Sequence, residues 1–476
     1  MGWRILTERM PAADSWRALT QGDALPRIIM VTFCIAVHAM DVFVTATILP
    51  TVVVDIGGAA YYAWPTAIYV VTAIMGTASG GRLEANLGMR RALITAASIY
   101  LVGSLVCAIA PNMAVFLIGR VGQGLGGGLL ASLAYVMIRG LFTEQARPRV
   151  FALISMMWGA AAMVGPLLGG LFAELNFWRG VYWLTVPIFV VLTVLAWRNL
   201  PPRDVSRKTM RQPWSRLFLL GTTVMSVILS GQTDAITPRV VLIACAVIGI
   251  AVMLWLDHRA ANPLFPTMPI SLRHPVGAGY LTLFIFSFSF TPINIFLPLL
   301  AQRLHDVPPS LAGYVGATMS FGWTVAAILV PGAAPRMQRR LMVTGPACLI
   351  AGIIGQTYVV VDGPIGVLIA FVFLMGLGVG QCHAHISNRI MISARSGEEV
   401  LTAGTIPTMQ SLGIAFGAAI GGLLANAGGL SEGLTIGAII SASDWIYGFS
   451  IFPAVLLLLI ALRLVWLLQR MEVGLD

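Results

Sequence analysis

Four polar side chains share one face of an otherwise apolar stretch near the start of the chain. Cys34, His38, Asp41 and Thr45 stand at i, i+4, i+7 and i+11, positions that a helix brings into one stripe. Asp41 is the one formal charge between Arg27 and Pro50, and a run of roughly 20 apolar residues is the length that crosses a bilayer's hydrocarbon core. A charge at that depth costs at least ~2.5–3.5 kcal/mol on insertion scales, so it belongs in a bundle interior or a wet cavity and has a task there. Proton carriage suits it. Dry surroundings favour the protonated form of a carboxyl and a nearby cation favours the ionised form, so a carboxyl whose surroundings alternate loads a proton on one side and releases it on the other. His38, one turn earlier, is placed to share that proton or to orient the acid. The alternative for both is helix-to-helix hydrogen bonding alone.

Arg120 is the only arginine deep within an apolar span, where a bare guanidinium is expensive. It needs either an acid or a set of backbone carbonyls. Later in the chain, Ser287, Thr291 and Asn294 form a polar stripe at helical spacing beside Phe290, and Gln381, His383 and His385 interrupt another apolar span. A metal site at His383 and His385 is disfavoured, because i, i+2 side chains diverge by about 200° on a helix. A hydrogen-bonding role for one of the two is the better reading. Tyr69, Trp158 and Phe290 are candidate aromatic walls, with core packing as the alternative. The expected cargo contacts are Thr45, Tyr69, Gln123, Trp158, Phe290, Thr291, Asn294, Gln381 and His385; no metal and no cofactor is expected.

The elements that must hold these residues are helices in a membrane. The 476 residues are 58% hydrophobic and 10% charged, against about 25% charged in soluble domains. Apolar spans fall near 28–50, 63–80, 92–110, 113–138, 148–173, 180–198, 215–231, 239–256, 277–301, 311–331, 341–361, 364–387, 403–426 and 444–468, which is fourteen. Arginines alternate with them. The loops on one side carry Arg82, Arg90 and Arg91, Arg139, Arg147 and Arg149, the 198–216 cluster, Arg259 and Arg273, Arg336, Arg339 and Arg340, and Arg389 and Arg395, while the other side receives Arg179, Arg239 and Arg303. Positive loops are cytoplasmic, which predicts both termini inside. The net charge of +10 is therefore topological and does not point to nucleic acid. The five cysteines all fall inside apolar spans and predict no disulfide framework. Residues 1–27 are polar and do not read as a secretory signal.

An internal repeat organises the spans. Phe116-Leu-Ile-Gly119-Arg-Val-Gly122-Gln123 in the fourth parallels Phe373-Leu-Met-Gly376-Leu-Gly378-Val-Gly380-Gln381 in the twelfth, and the small-residue fifth span parallels the thirteenth, with Gly413, Gly417 and Gly421 at spacing four. The domain plan is then a tail at 1–27, a six-helix bundle over 28–198, a basic loop and two inserted helices over 199–276, a second six-helix bundle over 277–468, and a tail at 469–476. Parallel repeats of this kind are a transporter architecture with cargo bound near the midplane.

Several motifs, in order, resemble the fourteen-helix drug:proton antiporter branch of the major facilitator superfamily. Asp41 through Leu49-Pro50 resembles its first-helix signature. Gly81-Arg-Leu83-Glu84-Ala85-Asn86-Leu-Gly88-Met-Arg90-Arg91 is similar to its gating-loop motif. Arg120-Val-Gly-Gln123-Gly124 resembles the R-x-x-Q-G element, Gly165-Pro166-Leu-Leu-Gly169-Gly170 the antiporter motif, and Trp178-Arg179 with Pro187 fits the sixth helix. The resemblance implies an all-α major facilitator fold, two six-helix bundles plus two inserted helices, in which the antiporter-motif helix seals the cavity and marks exporters. One departure stands out. The gating-loop acid is replaced by Ala85, and Glu84 next to it is rotated by about 100° on a helix.

These readings together predict a proton-coupled secondary transporter, not an enzyme, that exports small hydrophobic or amphipathic organic compounds by alternating access. Proton coupling would run through Asp41, His38 and Arg120. A dedicated carrier of one metabolite, such as a vitamin, siderophore or amino-acid derivative, running in either direction, is the open alternative. A non-transporting receptor or intramembrane enzyme finds no catalytic signature in the spans. The expected partners are a small-molecule substrate, protons and the lipid bilayer, with no nucleic acid. The expected state is a monomer in the bacterial cytoplasmic (inner) membrane.

Overall fold

A computed structural model describes residues 24–142, 147–200, 214–230, 233, 235–260, 263, 265–267, 269–330, 333–396 and 398–472. Most of the expected N-terminal tail, the 201–213 part of the basic loop and the last four residues fall outside them. The described residues are helical with no strand. In order they form α1 (Ala24–Ile56), α2 (Trp64–Leu87), α3 (Met89–Ala108), α4 (Met113–Leu141), α5 (Arg147–Glu174), α6 (Gly180–Asn199, with a break at Leu184), α7 (Trp214–Ser230), α8 (Ile236–His258), α9 (Pro275–Leu304), α10 (Pro309–Leu329), α11 (Pro335–Val359), α12 (Ile365–Ile392), α13 (Glu399–Ala427) and α14 (Ile436–Glu472).

The helix starts follow local chemistry. Asn112 caps α4 by accepting from the Val115 amide at 3.0 Å, and proline opens α9, α10 and α11, where its missing amide hydrogen costs nothing. Between α2 and α3 the chain turns within one residue. Gly88 has φ +76°, a conformation that disfavours any side chain.

Among the described residues, twelve helices are long and apolar enough to cross a membrane, so the protein is a multi-pass membrane protein. The expected fourteen spans are not all met. α2 is 24 residues long, but Arg82, Glu84 and Asn86 sit in its last turns, and α7 carries an apolar segment only from Ser215 to Val227. Twelve is the number that length and hydropathy support.

The chain divides into two compact units, one of residues 1–56 and 71–214 and the other of 57–70 and 215–476. In the first, α1 packs on α5 and α3 on α4; in the second, α9 packs on α13 and α11 on α12. These are the pairings that the sequence repeat aligns. Within the second unit, the 57–70 segment is pinned to α13 and α9: Asn426 Nδ2 donates to the Ala60 carbonyl at 2.9 Å, and Tyr62 stacks on Phe296 at 5.0 Å.

Candidate functional site

The intramembrane acid and the intramembrane arginine meet. Arg120 Nη1 donates to Asp41 Oδ1 at 2.8 Å and to Gln123 Oε1 at 2.8 Å. Tyr100 from α3 donates its hydroxyl to the same Asp41 oxygen at 3.2 Å. Gln123 turns its amide to Ser104 Oγ at 2.9 Å, and the Cys107 thiol lies 3.4 Å from Gln123 Oε1. Asp41 is 7% exposed and Arg120 1%, so the pair faces neither lipid nor water. Its desolvation is offset by this network, since a buried ion pair holds only when its remaining donors are satisfied. One atom stands out. Asp41 Oδ2 is buried and has no hydrogen-bond partner among the described residues, which leaves a lone pair where a proton can reside without breaking the contact to Arg120.

Helix seams fix this geometry. α3 and α4 approach until a Cβ on Gly119 would lie 2.8 Å from both the Cys107 amide nitrogen and the Gly103 carbonyl oxygen, so glycine there lets α3 place Tyr100, Ser104 and Cys107 against α4. α1 is held from its other side by the antiporter-motif stretch of α5. A Cβ on Gly165 would lie 2.6 Å from Phe43 Cβ, and Gly169 abuts Thr47 and Val44. Gly165, Pro166, Gly169 and Gly170 are all buried, and Pro166 sits inside the helix.

Other expected site residues distribute unevenly. Gln123 and Thr45 are buried, Gln123 as part of the Asp41 network. His38 lies close enough to Asp41 and Arg120 to sense both charges, and its ring meets Trp158 edge-on at 6.0 Å. Trp158 is 40% exposed. Tyr69 is buried. On α9 the polar stripe splits. Thr291 donates to the Ser287 carbonyl at 2.6 Å, and both residues press against α13 at Gly417 and Gly413, while Asn294 and Phe290 stay half-buried. Thr291 therefore sits in a helix seam. Gln381 reaches α11, with Thr344 donating to it at 3.3 Å and its own amide 3.4 Å from Cys348 Sγ. His385 is buried with Nε2 unpartnered among the described residues; His383 instead pairs with Gln410 at 2.8 Å beside Trp323.

The gating-loop motif is mostly helix. Gly81 lies on an open face of α2, Glu84 is buried at 8%, and Arg91 is exposed. Arg90 donates to the Leu200 carbonyl at 2.7 Å and covers the Trp197 ring at 5.2 Å, tying α3 to the end of α6. A clasp that sequence reasoning missed closes the opposite end of this unit. Asp55 accepts from Trp178 Nε1 at 3.0 Å and from Arg179, and Arg179 also donates to the Ala110 carbonyl at 2.9 Å. Of the site partners missed, Tyr100, Ser104 and Cys107 carried a usable signal, for they recur at i, i+4 and i+7 within an apolar span.

Known proteins agree with this architecture. The chain is 28% identical over 434 residues to a probable multidrug-efflux transporter of Mycobacterium tuberculosis, covering 88% of this chain and 92% of that protein. It is 24% identical to the multidrug transporter protein MdtP of Bacillus subtilis, over 86% of this chain and 77% of that one. Among solved structures, the nucleoside transporter NupG superposes with a TM-score of 0.64 at 12% identity, covering 92% of this chain and all of the other. A bacterial homologue of the lysosomal transporter Spinster gives 0.60 at 14% identity, covering 93% and 96%. These two share the fold. The family model described as Major Facilitator Superfamily matches residues 31–418, and the chain belongs to that superfamily.

Proposed function

We propose that this protein exports small hydrophobic or amphipathic organic molecules from a bacterial cell, driven by protons that enter through Asp41. The observation that carries the coupling step is the bare, buried Oδ2 of Asp41 beside an oxygen already held by Arg120. Protonation at Oδ2 would neutralise the acid while Arg120 stays on Oδ1, and leave the guanidinium without its counter-charge. His38, at the edge of the same charges, is the group proposed to relay the proton. The efflux reading is supported by the multidrug names of the relatives in Mycobacterium and Bacillus.

In this reading α2 and α7 also cross the bilayer, giving fourteen spans with both termini in the cytoplasm. The 28–198 and 277–468 bundles then alternate access around a monomer in the inner membrane, with 199–276 inserted between them. Trp158, Phe290 and Asn294, which keep part of their surface open, are the residues proposed to meet cargo. A membrane potential supplies about 2.3 kcal/mol per charge per 100 mV, and each pH unit about 1.4 kcal/mol. One proton per cycle would hold on the order of a hundredfold gradient of a neutral compound.

Purified protein in liposomes, loaded with ethidium as cargo and given an imposed pH gradient, tests the assignment. Wild type moves ethidium against its gradient; Asp41→Asn exchanges it downhill only. An Asp41→Asn variant that pumps at the wild-type rate overturns the role given to Asp41. A second reading, a dedicated metabolite carrier, draws on the polar His383 and Gln410 pair inside apolar helices. A panel in which a single compound competes with all others would select it.

A further inference from the structure

The last helix ends in an arrangement that neither coupling nor cargo binding uses. On α14, Phe452, Leu456, Leu459, Arg463, Trp466 and Arg470 follow one another at alternating spacings of four and three, which puts them on one stripe of the helix. The apolar members are all exposed, and α14 is a candidate membrane span from Ile436 to Met471, so the stripe faces lipid. Its far end is cationic. The guanidinium carbons of Arg463 and Arg470 lie over the same indole, that of Trp466, at 4.1 and 4.2 Å from the ring centroid. The ring attracts each of them, yet the arrangement keeps two like charges close together. Arg463 also donates from Nε to the Leu272 carbonyl at 3.2 Å, and the next residue, Arg273, is exposed. None of these three arginines pairs with a carboxylate among the described residues.

We infer that this end of α14 binds one anionic phospholipid, its phosphate held by Arg463 and Arg470 and an acyl chain laid along Leu459, Leu456 and Phe452. Charge complementarity selects the occupant. Like charges gathered without an acid are stabilised by an anion, and guanidinium groups match phosphate oxygens in charge and hydrogen-bond geometry. Tryptophan and arginine are the residues that sit at headgroup depth, and the apolar stripe leading away from them meets hydrocarbon. A soluble phosphate ester matches the arginines alone; a lipid matches the whole stripe. The headgroup must also carry net negative charge. A choline headgroup brings its own ammonium beside the phosphate, which these arginines repel, whereas a glycerol headgroup leaves the phosphate charge uncompensated for them to meet. The site requires nothing of Asp41 and is the same whatever cargo the protein carries.

The test is native mass spectrometry of delipidated full-length protein in a neutral detergent, mixed with equal amounts of phosphatidylglycerol and phosphatidylcholine of matched acyl chains and read at the first bound lipid. An arginine beside an anionic headgroup is worth about fivefold in affinity, so wild type is expected to retain phosphatidylglycerol over phosphatidylcholine by roughly twentyfold. Arg463→Gln combined with Arg470→Gln brings the two lipids close to parity. Arg470→Gln alone, which removes only an exposed ring contact, falls between them and serves if the double variant does not fold. Arg259 covers Trp255 on α8 at 4.1 Å, and Arg259→Gln combined with Arg395→Gln removes the same charge elsewhere and keeps the wild-type ratio. Glycerol 3-phosphate, equimolar with the lipids, displaces neither. Melting within a few degrees of wild type qualifies each variant as folded. Equal retention of the two lipids by wild type, an unchanged ratio in the folded Arg463 and Arg470 variants, or an equal fall in the charge-matched control overturns the inference. So does displacement by glycerol 3-phosphate, which would assign the arginines to a soluble anion.

Discussion

Arg120 and Asp41, 79 residues apart in sequence, meet at 2.8 Å through Nη1 and Oδ1 in a site from which water is excluded. The contact carries opposite consequences for stability and for function. A buried pair is no more stabilising than well-packed apolar residues, yet removing one partner leaves an uncompensated charge and costs about 3–5 kcal/mol. Arg120→Leu should therefore melt far below wild type when purified, while Arg120→Leu combined with Asp41→Asn should regain most of the loss. Differential scanning of the four proteins closes a double-mutant cycle. Additive losses would mean that the two side chains are not coupled.

The α3–α4 seam predicts a contrast between two glycines. A methyl on Gly119 would meet Cys107 Sγ at 2.5 Å and backbone atoms at 2.8 Å, whereas Gly81 has nothing within 4 Å. Overpacking of this sort costs about 1–3 kcal/mol. Gly119→Ala should lower the melting temperature and disturb the Asp41 network, because Tyr100 and Ser104 ride on the displaced helix. Gly81→Ala should melt like wild type, although Gly81 opens the gating-loop motif and Gly119 belongs to the internal repeat, so that both look marked in sequence.

How far the sequence reveals this site depends on what kind of partner each side chain takes. Asp41 and Arg120 are legible because a charge in an apolar span has to be explained. The α3 partners Tyr100, Ser104 and Cys107 are uncharged and cheap to bury, so their i, i+4, i+7 spacing is a weaker signal than a charge in an apolar span. The α9 stripe misleads for a related reason. A serine or threonine hydroxyl can satisfy itself on the carbonyl one turn back, as Thr291 does on Ser287, so a polar stripe at helical spacing looks the same whether it lines an open face or a seam. The helix positions were readable from hydropathy throughout. α2 and α7 fall short of span criteria because polar residues close the first and the second is short, features that windowed hydropathy blurs.

The clasp of Asp55 with Trp178 and Arg179 separates charge from packing. The Arg179 and Asp55 side chains are 30% and 48% exposed, and an exposed pair contributes at most about 1 kcal/mol. Asp55→Asn should cost little and its effect should fade in high salt. Trp178 is 2% exposed and packs edge-on against Phe116 and Tyr182, so Trp178→Ala should cost about 3–5 kcal/mol at any salt concentration. Thermal melts at low and high ionic strength distinguish the two.

Cysteine labelling probes the membrane assignment of α8. Cys34, Cys107 and Cys382 are buried, Cys348 is half-buried and Cys245 is exposed on α8, a helix whose membrane window is only 22% buried within the protein. An exposed thiol on a helix this apolar faces lipid, where a charged reagent cannot follow it. In native membranes a sulfonated maleimide should leave Cys245 untouched, and even a membrane-permeant, apolar maleimide should modify it only slowly, because the thiolate that attacks does not form in hydrocarbon. Rapid labelling of Cys245 by the sulfonated reagent in sealed vesicles would place that face of α8 in water, and the helix could then not be one of the twelve spans.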